Sequence, residues 1–282
     1  MIVEAAIGDA YGAGFEFADV EKIRNKNTLT QYEGHPLFPE IKGRYTDDTQ
    51  MSIAIAELLI EGEDFTPLNI ANRFVTAFKR DKRRGYAKRF YAFLEEVGDG
   101  GELLRRIYPK STRNGAAMRA YPLGVLKSEI QILEFAAIQA EVTHQTTEAI
   151  TAAQTIALSS HYFIYQKGSK SELLPFLEDT LKMKWQTNWK TEVGVNARET
   201  VEAVLTVLIR ANSLQEMLKK SVAFGGDVDT VASLTLAIGS LSEEVSNDLA
   251  QWMYEDLENG DYGHDYLVWL DTELLKLTAI SG

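Results

Sequence analysis

Apolar residues recur three and four positions apart through most of this chain, and no other spacing competes. Met51, Ile55, Leu58 and Leu59 share one helical face, and Ala149, Ala153, Ile156, Ala157, Ser160, Phe163 and Ile164 share another. Val201, Val204, Leu205 and Leu208 repeat the pattern, as do Val231, Leu234 and Ile238, then Leu267, Leu270 and Leu274. Such stripes belong to amphipathic helices that bury one face against each other. Period-two alternation never persists beyond a few residues, so the chain reads as all-α, with ten or more helices. Many apolar positions are alanine, and small side chains let helix axes come close. With only 6 prolines and no Gly/Ser-rich linker, residues 1–282 read as one compact multi-helix domain. Two long connections, 24–43 and 182–194, are either functional lids or surface excursions. Residues 241–282 read as two packing helices.

Composition removes several classes of chemistry. With no cysteine, disulfides, thiolate metal sites and a cysteine nucleophile are all excluded, and a reducing cytoplasm is the default location. No apolar run approaches the ~20 residues of a membrane span. The opening "MIVEAAIGDAYG" has no basic stretch, so no signal peptide is read there. A net charge of −12 argues against general nucleic-acid affinity. One segment opposes that balance: "KRDKRRGYAKRF", residues 79–90, carries seven Lys and Arg. It is either a solvated helix end, where cations are favourable, or a phosphate or nucleic-acid patch.

Two stretches concentrate acid where helices begin. "GRYTDDTQM", residues 43–51, sets Thr46, Asp47 and Asp48 before an apolar stripe, and "FGGDVDTVASL", residues 224–234, does the same with Asp227, Asp229 and Thr230. One Asp or Thr at either place is an ordinary N-cap, worth ~1 kcal/mol. Capping does not account for the second carboxylate, which meets like-charge repulsion with no cation following closely in sequence. A hard divalent cation resolves the conflict, because carboxylate and hydroxyl oxygens are its preferred ligands. If the two stretches meet, six side chains with four negative charges suffice for two ions. Magnesium suits short, rigid Asp ligands; zinc is disfavoured, since no histidine lies near either cluster in sequence. Gly225 and Gly226 fit a backbone that approaches a ligand or takes positive φ before a helix, and equally a plain turn.

These residues resemble the ADP-ribosylglycohydrolases of the dinitrogenase-reductase-activating type. "GDAYGAGFEF" (8–17) is similar to the family's opening motif, and the two acidic stretches to its metal motifs. "DKRRGYAKRF" resembles the Arg-Gly-Tyr segment, "STRNGAAMRAYPLG" (111–124) the ligand loop, and "THQTTEAI" (143–150) the Thr-His segment. The resemblance spans residues 8–240. It implies an all-helical fold with a binuclear Mg²⁺ or Mn²⁺ centre that cleaves the glycosidic bond between ADP-ribose and an acceptor, on a modified protein or a small conjugate. By position, Thr46, Asp47, Asp48, Asp227, Asp229 and Thr230 would be metal ligands, with Asp47 and Asp48 also beside the chemistry. Glu16 would be a flexible catalytic acid at the distal ribose, or else a solvated loop residue.

Within that resemblance, Ser111, Thr112, Asn114 and Gly115 read as a diphosphate cradle at a helix N-terminus, with Met118 in the same loop. Lys110 and Arg113 stand where the family usually has glycine, and either strengthen or obstruct phosphate binding. His144 would sit against the ribose or adenine, or be a cap or surface residue; Tyr121 and Tyr86 are candidate stacking residues. A catalytically silent ADP-ribose binder, a nucleic-acid-associated protein using residues 79–90, and a metal-stabilised scaffold remain as alternatives.

Overall fold

In the computed structural model, which describes residues 1–279, helices account for nearly all the regular structure. In chain order they are α1 (Ile2–Ala13), α2 (Val20–Lys26), α3 (Asp47–Glu61), α4 (Pro67–Arg80), α5 (Lys88–Glu96), α6 (Gly100–Arg106) and α7 (Glu129–Glu141). There follow α8 (Thr147–Ile164), α9 (Leu173–Leu181), α10 (Ala197–Leu208), α11 (Leu214–Ala223), α12 (Val228–Gly239), α13 (Gln251–Glu255) and α14 (His264–Ala279). The described residues contain no strand, only isolated backbone bridges. The all-α reading holds, and the two helices expected in the last segment are α13 and α14.

Isolated helices of this length are marginal in water, so packing must hold them. α1 lies along α12, flanked by α3 and α14, while α8 packs on α7 and α10. α1 and α12 are buried on nearly every face, and full burial of one Leu or Ile contributes ~1.5–3 kcal/mol. Their axes come close because Gly8 and Gly12 of α1 face the α12 backbone; a Cβ on Gly8 would stand 2.5 Å from the Ala232 carbonyl oxygen.

Half of the helix starts carry an ordinary side-chain cap. Asp19, Thr66, Asp99, Ser128, Thr146, Asn196 and Ser213 accept from backbone amides of α2, α4, α6, α7, α8, α10 and α11. At α3 and α12 the N-cap residues Thr46 and Asp227 make no such bond. In α12 it is Asp229, not the N-cap residue, that accepts a first-turn amide, from Thr230 at 2.9 Å.

Candidate metal centre

The α3 N-terminus is capped from another helix. Asp9 of α1, fully buried, accepts from the Thr46 amide and hydroxyl at 2.9 and 2.8 Å, and from the Thr49 amide and hydroxyl at 3.1 and 2.6 Å. Two of those bonds take up orphan amides at the helix start, and two take up threonine hydroxyls. They leave the carboxylates of Asp47 and Asp48 free for another task. The capping role expected of this stretch thus belongs to a residue 37 positions upstream of Thr46.

The two acidic stretches meet. Carboxylate oxygens of Asp9, Asp48 and Asp229 lie within 4.8 Å of one another, and so do those of Glu16, Asp227 and Asp229. Asp229 belongs to both groups. The Thr230 hydroxyl favours the charged forms of both Asp48 and Asp227, so it stands between the two motifs. Asp48 Oδ2 is buried with no hydrogen-bond partner among the described residues. Burial pushes the carboxyls of Asp47, Asp48 and Asp229 well above the usual range, and neighbouring carboxylates push them further. Burial raises Asp9 to about 6, and burial followed by Glu16 raises Asp227 to about 7. Buried, mutually repelling carboxylates with an unpartnered oxygen fit a divalent cation, which reverses the local electrostatics.

Asp47 is the most open of the Asp ligand candidates, partly exposed where its three neighbours are buried. Its amide donates to the Arg84 carbonyl at 3.1 Å, and Gly85, at φ +103°, presses against it: a Cβ there would stand 2.0 Å from Asp47 Oδ1. The basic segment is thus a wall of the site. Arg83 is buried between Asp81 and Glu258 and over the Tyr45 ring, Arg80 pairs with Glu57, Lys82 with Glu95 and Arg84 with Glu40. Four of the seven cations have a carboxylate partner, and Lys79, Lys82, Arg84, Lys88 and Arg89 are exposed.

The second glycine pair behaves as expected. Gly225 and Gly226 take φ +75° and +83°, and a Cβ on Gly226 would meet the Val193 carbonyl at 2.0 Å. Val193, in the connection after α9, exchanges backbone bonds with Gly225 and Asp227. The long connection 182–194 is a buttress for the second metal motif at this point.

The expected cradle differs in detail. Residues 114–116 form a single 3-10 turn, so no α-helix N-terminus lies there. Asn114 turns inward: its side-chain amide donates to Asp227 and to Thr200, which occupies both hydrogens. It therefore supports a ligand candidate and has no side-chain donor left for a phosphate. Ser111 accepts from the Arg113 amide in a local turn, Thr112 is exposed, and Met118 is buried. Gly115 and His144 do come together; a Cβ on Gly115 would stand 3.0 Å from His144 Cε1. His144 neither caps a helix nor lies on the surface. Its Nδ1 is 2.6 Å from the Thr143 hydroxyl, which accepts from the buried Arg119 guanidinium. Burial, then the charges of Arg119 and Arg113, pushes His144 down to about 3, so the ring is neutral near pH 7.

Tyr121 and Tyr86 do not present faces for stacking. Tyr121 is wholly buried, and Tyr86 donates to Gln50 and meets Phe78 edge-on. The motifs that suggested stacking placed large aromatics near the loop, but helix packing claimed them for the core. Two residues gained roles that the sequence did not announce. Asp9 was visible only as part of an opening motif, and His35, in the connection after α2, lies 2.6 Å from Glu16.

With this geometry in view, comparison with known proteins is decisive. A family model described as ADP-ribosylglycohydrolase matches residues 1–262. The chain belongs to the ADP-ribosylglycohydrolase family. It is 26% identical to the human ADP-ribosylhydrolase ARH3, with 83% of this chain and 82% of that protein aligned. It is 24% identical to the ADP-ribosyl-[dinitrogen reductase] glycohydrolase of Rhodospirillum rubrum, over 88% and 86% of the two chains. A solved structure titled "ADP-ribosylglycohydrolase-related protein complex" superposes with a TM-score of 0.74 at 22% identity, covering 98% of this chain and 96% of that one. The all-α ADP-ribosylglycohydrolase fold is the one these helices build. No described helix is long and apolar enough to cross a membrane.

Proposed function

We propose that residues 1–282 act as one cytoplasmic, Mg²⁺- or Mn²⁺-dependent hydrolase that cleaves the N- or O-glycosidic bond between ADP-ribose and an acceptor, on a protein side chain or a small conjugate. The observation that carries this reading is Asp229, which lies in both carboxylate groups and would serve two ions at once. Thr46, Asp47, Asp48, Asp227, Asp229 and Thr230 would hold the pair. When bound, the ions would supply positive charge that grips ribose hydroxyls and orients a water.

The protein's own groups do the rest. Hydrolysis at an anomeric carbon passes through an oxocarbenium-like state, which fixed carboxylates stabilise. Glu16, 16% exposed at its side chain, is the carboxylate best placed to exchange a proton with water or leaving group. Neutral His144, beside Gly115, would present a ring nitrogen to a sugar or base. Asn114 and Asp9 hold Asp227 and Thr46 in place.

The relatives' names include hydrolases of ADP-ribosylarginine and of ADP-ribosylated dinitrogen reductase. The acceptor here is tested by incubating the protein and Mg²⁺ with arginine-, serine- and nucleic-acid-linked ADP-ribose. Release of free ADP-ribose from one of them, abolished by EDTA and restored by Mg²⁺, supports the reading. Binding of ADP-ribose without release from any conjugate would make the chain a silent binder instead.

A further inference from the structure

Glu16 is held by a histidine whose protonation pattern the backbone dictates. His35 is 5% exposed and lies in the segment between α2 and the 3-10 turn Pro39–Ile41. Its Nδ1 is 2.9 Å from the Leu37 amide nitrogen and 3.1 Å from that of Phe38, both donating to it. A ring nitrogen that receives two N–H groups carries no proton of its own, because a third hydrogen would point into the other two. The proton of the neutral imidazole therefore sits on Nε2. Nε2 is 2.6 Å from Glu16 Oε2, so the bond runs from His35 to Glu16. The Phe38 ring lies against the imidazole, 5.1 Å between centroids at 32°.

The other end of Glu16 is fixed by backbone. The Phe17 amide donates to the Gly226 carbonyl at 2.8 Å, which ties the segment to the second metal motif. Phe17 sits at φ +47°, a left-handed conformation costly for a bulky residue and sustained only where surroundings over-determine it. The result is a carboxylate with one oxygen bonded to His35 while a carboxylate oxygen of Glu16 lies within 4.8 Å of both Asp227 and Asp229.

We propose that His35 is a positioning residue: as a neutral Nε2–H donor it binds one oxygen of Glu16 and so aims the carboxylate at the Asp227–Asp229 side of the centre. This rests on the reading of Glu16 as the group that meets substrate. It also gives the 24–43 connection a definite task, since the loop's turn at residues 35–38 orients the ring that orients the acid.

Two substitutions separate the two ring nitrogens. His35→Asn keeps an acceptor near the Nδ1 position for the Leu37 and Phe38 amides but offers no donor that reaches Glu16. His35→Gln keeps an amide N–H near the Nε2 position and loses the acceptor. With the conjugate that the wild type cleaves, His35→Asn should lower kcat by ~10- to 100-fold, the scale of a misplaced catalytic group, with KM within about 2-fold. His35→Gln should recover most of kcat despite a lower Tm, and His35→Asn should add nothing in a Glu16→Ala background. Equal losses in both variants, tracking Tm, or a further loss in the Glu16→Ala background, would overturn the proposal. A readout independent of turnover keeps it distinct from the hydrolase reading: ¹⁵N-histidine NMR, with the His35 signals identified by their loss in His35→Gln. Nδ1 should be unprotonated and Nε2 protonated, and the Nε2 signal should move in Glu16→Ala. A proton on Nδ1, or no response to Glu16→Ala, would end the proposal even in a fully active enzyme; the expected pattern in an inactive protein would leave the contact standing while the hydrolase reading failed.

Discussion

Gly12 of α1 and Asp229 of α12 lie so close that a Cβ on the glycine would stand 2.4 Å from the Asp229 Cα. No side chain fits between the two backbones. That approach brings Asp9, three residues before Gly12, within reach of Asp229. Gly12→Ala should therefore lower stability by more than the ~1–3 kcal/mol typical of overpacking, because backbone and not a rotamer must yield. It should also weaken Mg²⁺ binding. Thermal melts with and without Mg²⁺, together with calorimetric titration, check both effects; a wild-type affinity in this variant would contradict the account.

Asp9→Asn tests the cap supplied from a distance. One oxygen becomes an amide that faces a donor from Thr46 or Thr49, so the α3 start loses bonds at both ends of the contact. The expected cost is ~1–3 kcal/mol in urea unfolding, the scale of a buried group left unpaired. Metal affinity should fall with it, although Asp9 is assigned no ion.

Asp229→Ala and Asp47→Ala should each abolish turnover and lower metal occupancy. Glu16→Ala should cut the rate while both ions still bind. Metal content after dialysis, measured beside activity, separates the two behaviours; loss of the ions in Glu16→Ala would refute its assignment.

The site imposes its own pH dependence. Asp227 is raised from 3.8 to about 7, so between about pH 4 and pH 7 the folded apo-protein holds a proton that the unfolded chain has released. The apo-protein accordingly loses this contribution to stability as pH rises through that window. Asp227→Asn carries no such penalty. Its stability relative to wild type in EDTA should therefore increase from pH 4 to pH 7, and the stabilisation of wild type by Mg²⁺ should grow over the same range, since metal binding needs ionised ligands. A pH-independent gap between the two proteins would show that Asp227 titrates normally.

Gly85→Ala should be among the most damaging single-methyl changes. The position has φ +103°, and the added carbon would collide with Asp47 Oδ1 at 2.0 Å. Activity should fall at least as far as in Asp47→Ala, with partial recovery excluded at high Mg²⁺. A Gly85→Ala enzyme with near-normal kcat would mean the loop moves freely away from Asp47.

The helices were legible because their periodicity is local: Val201, Val204, Leu205 and Leu208 show a buried face without reference to any other segment. The acidic pairs were legible for a related reason, since two adjacent carboxylates at a helix start conflict with each other wherever the helix goes. The surroundings of Tyr121, Tyr86 and Asn114 were not legible, because the destination of a large or amphipathic side chain depends on which helix lies opposite. His35 gave no sign at all, its partner being 19 residues away across a turn.

The sequence alone determined an all-helical chain with two unsatisfied acidic helix starts and a motif order that resembles one family. Only the tertiary structure decided that Asp9 relieves Thr46 of capping, that Asp229 is shared between two carboxylate groups, and that a basic loop becomes the wall beside Asp47. The reason is distance. Repulsion and periodicity act between neighbours in the chain, whereas the convergence of three carboxylates within 4.8 Å depends on how closely α1 and α12 pack, which Gly8 and Gly12, remote in sequence from both acidic stretches, permit without carrying a charge of their own.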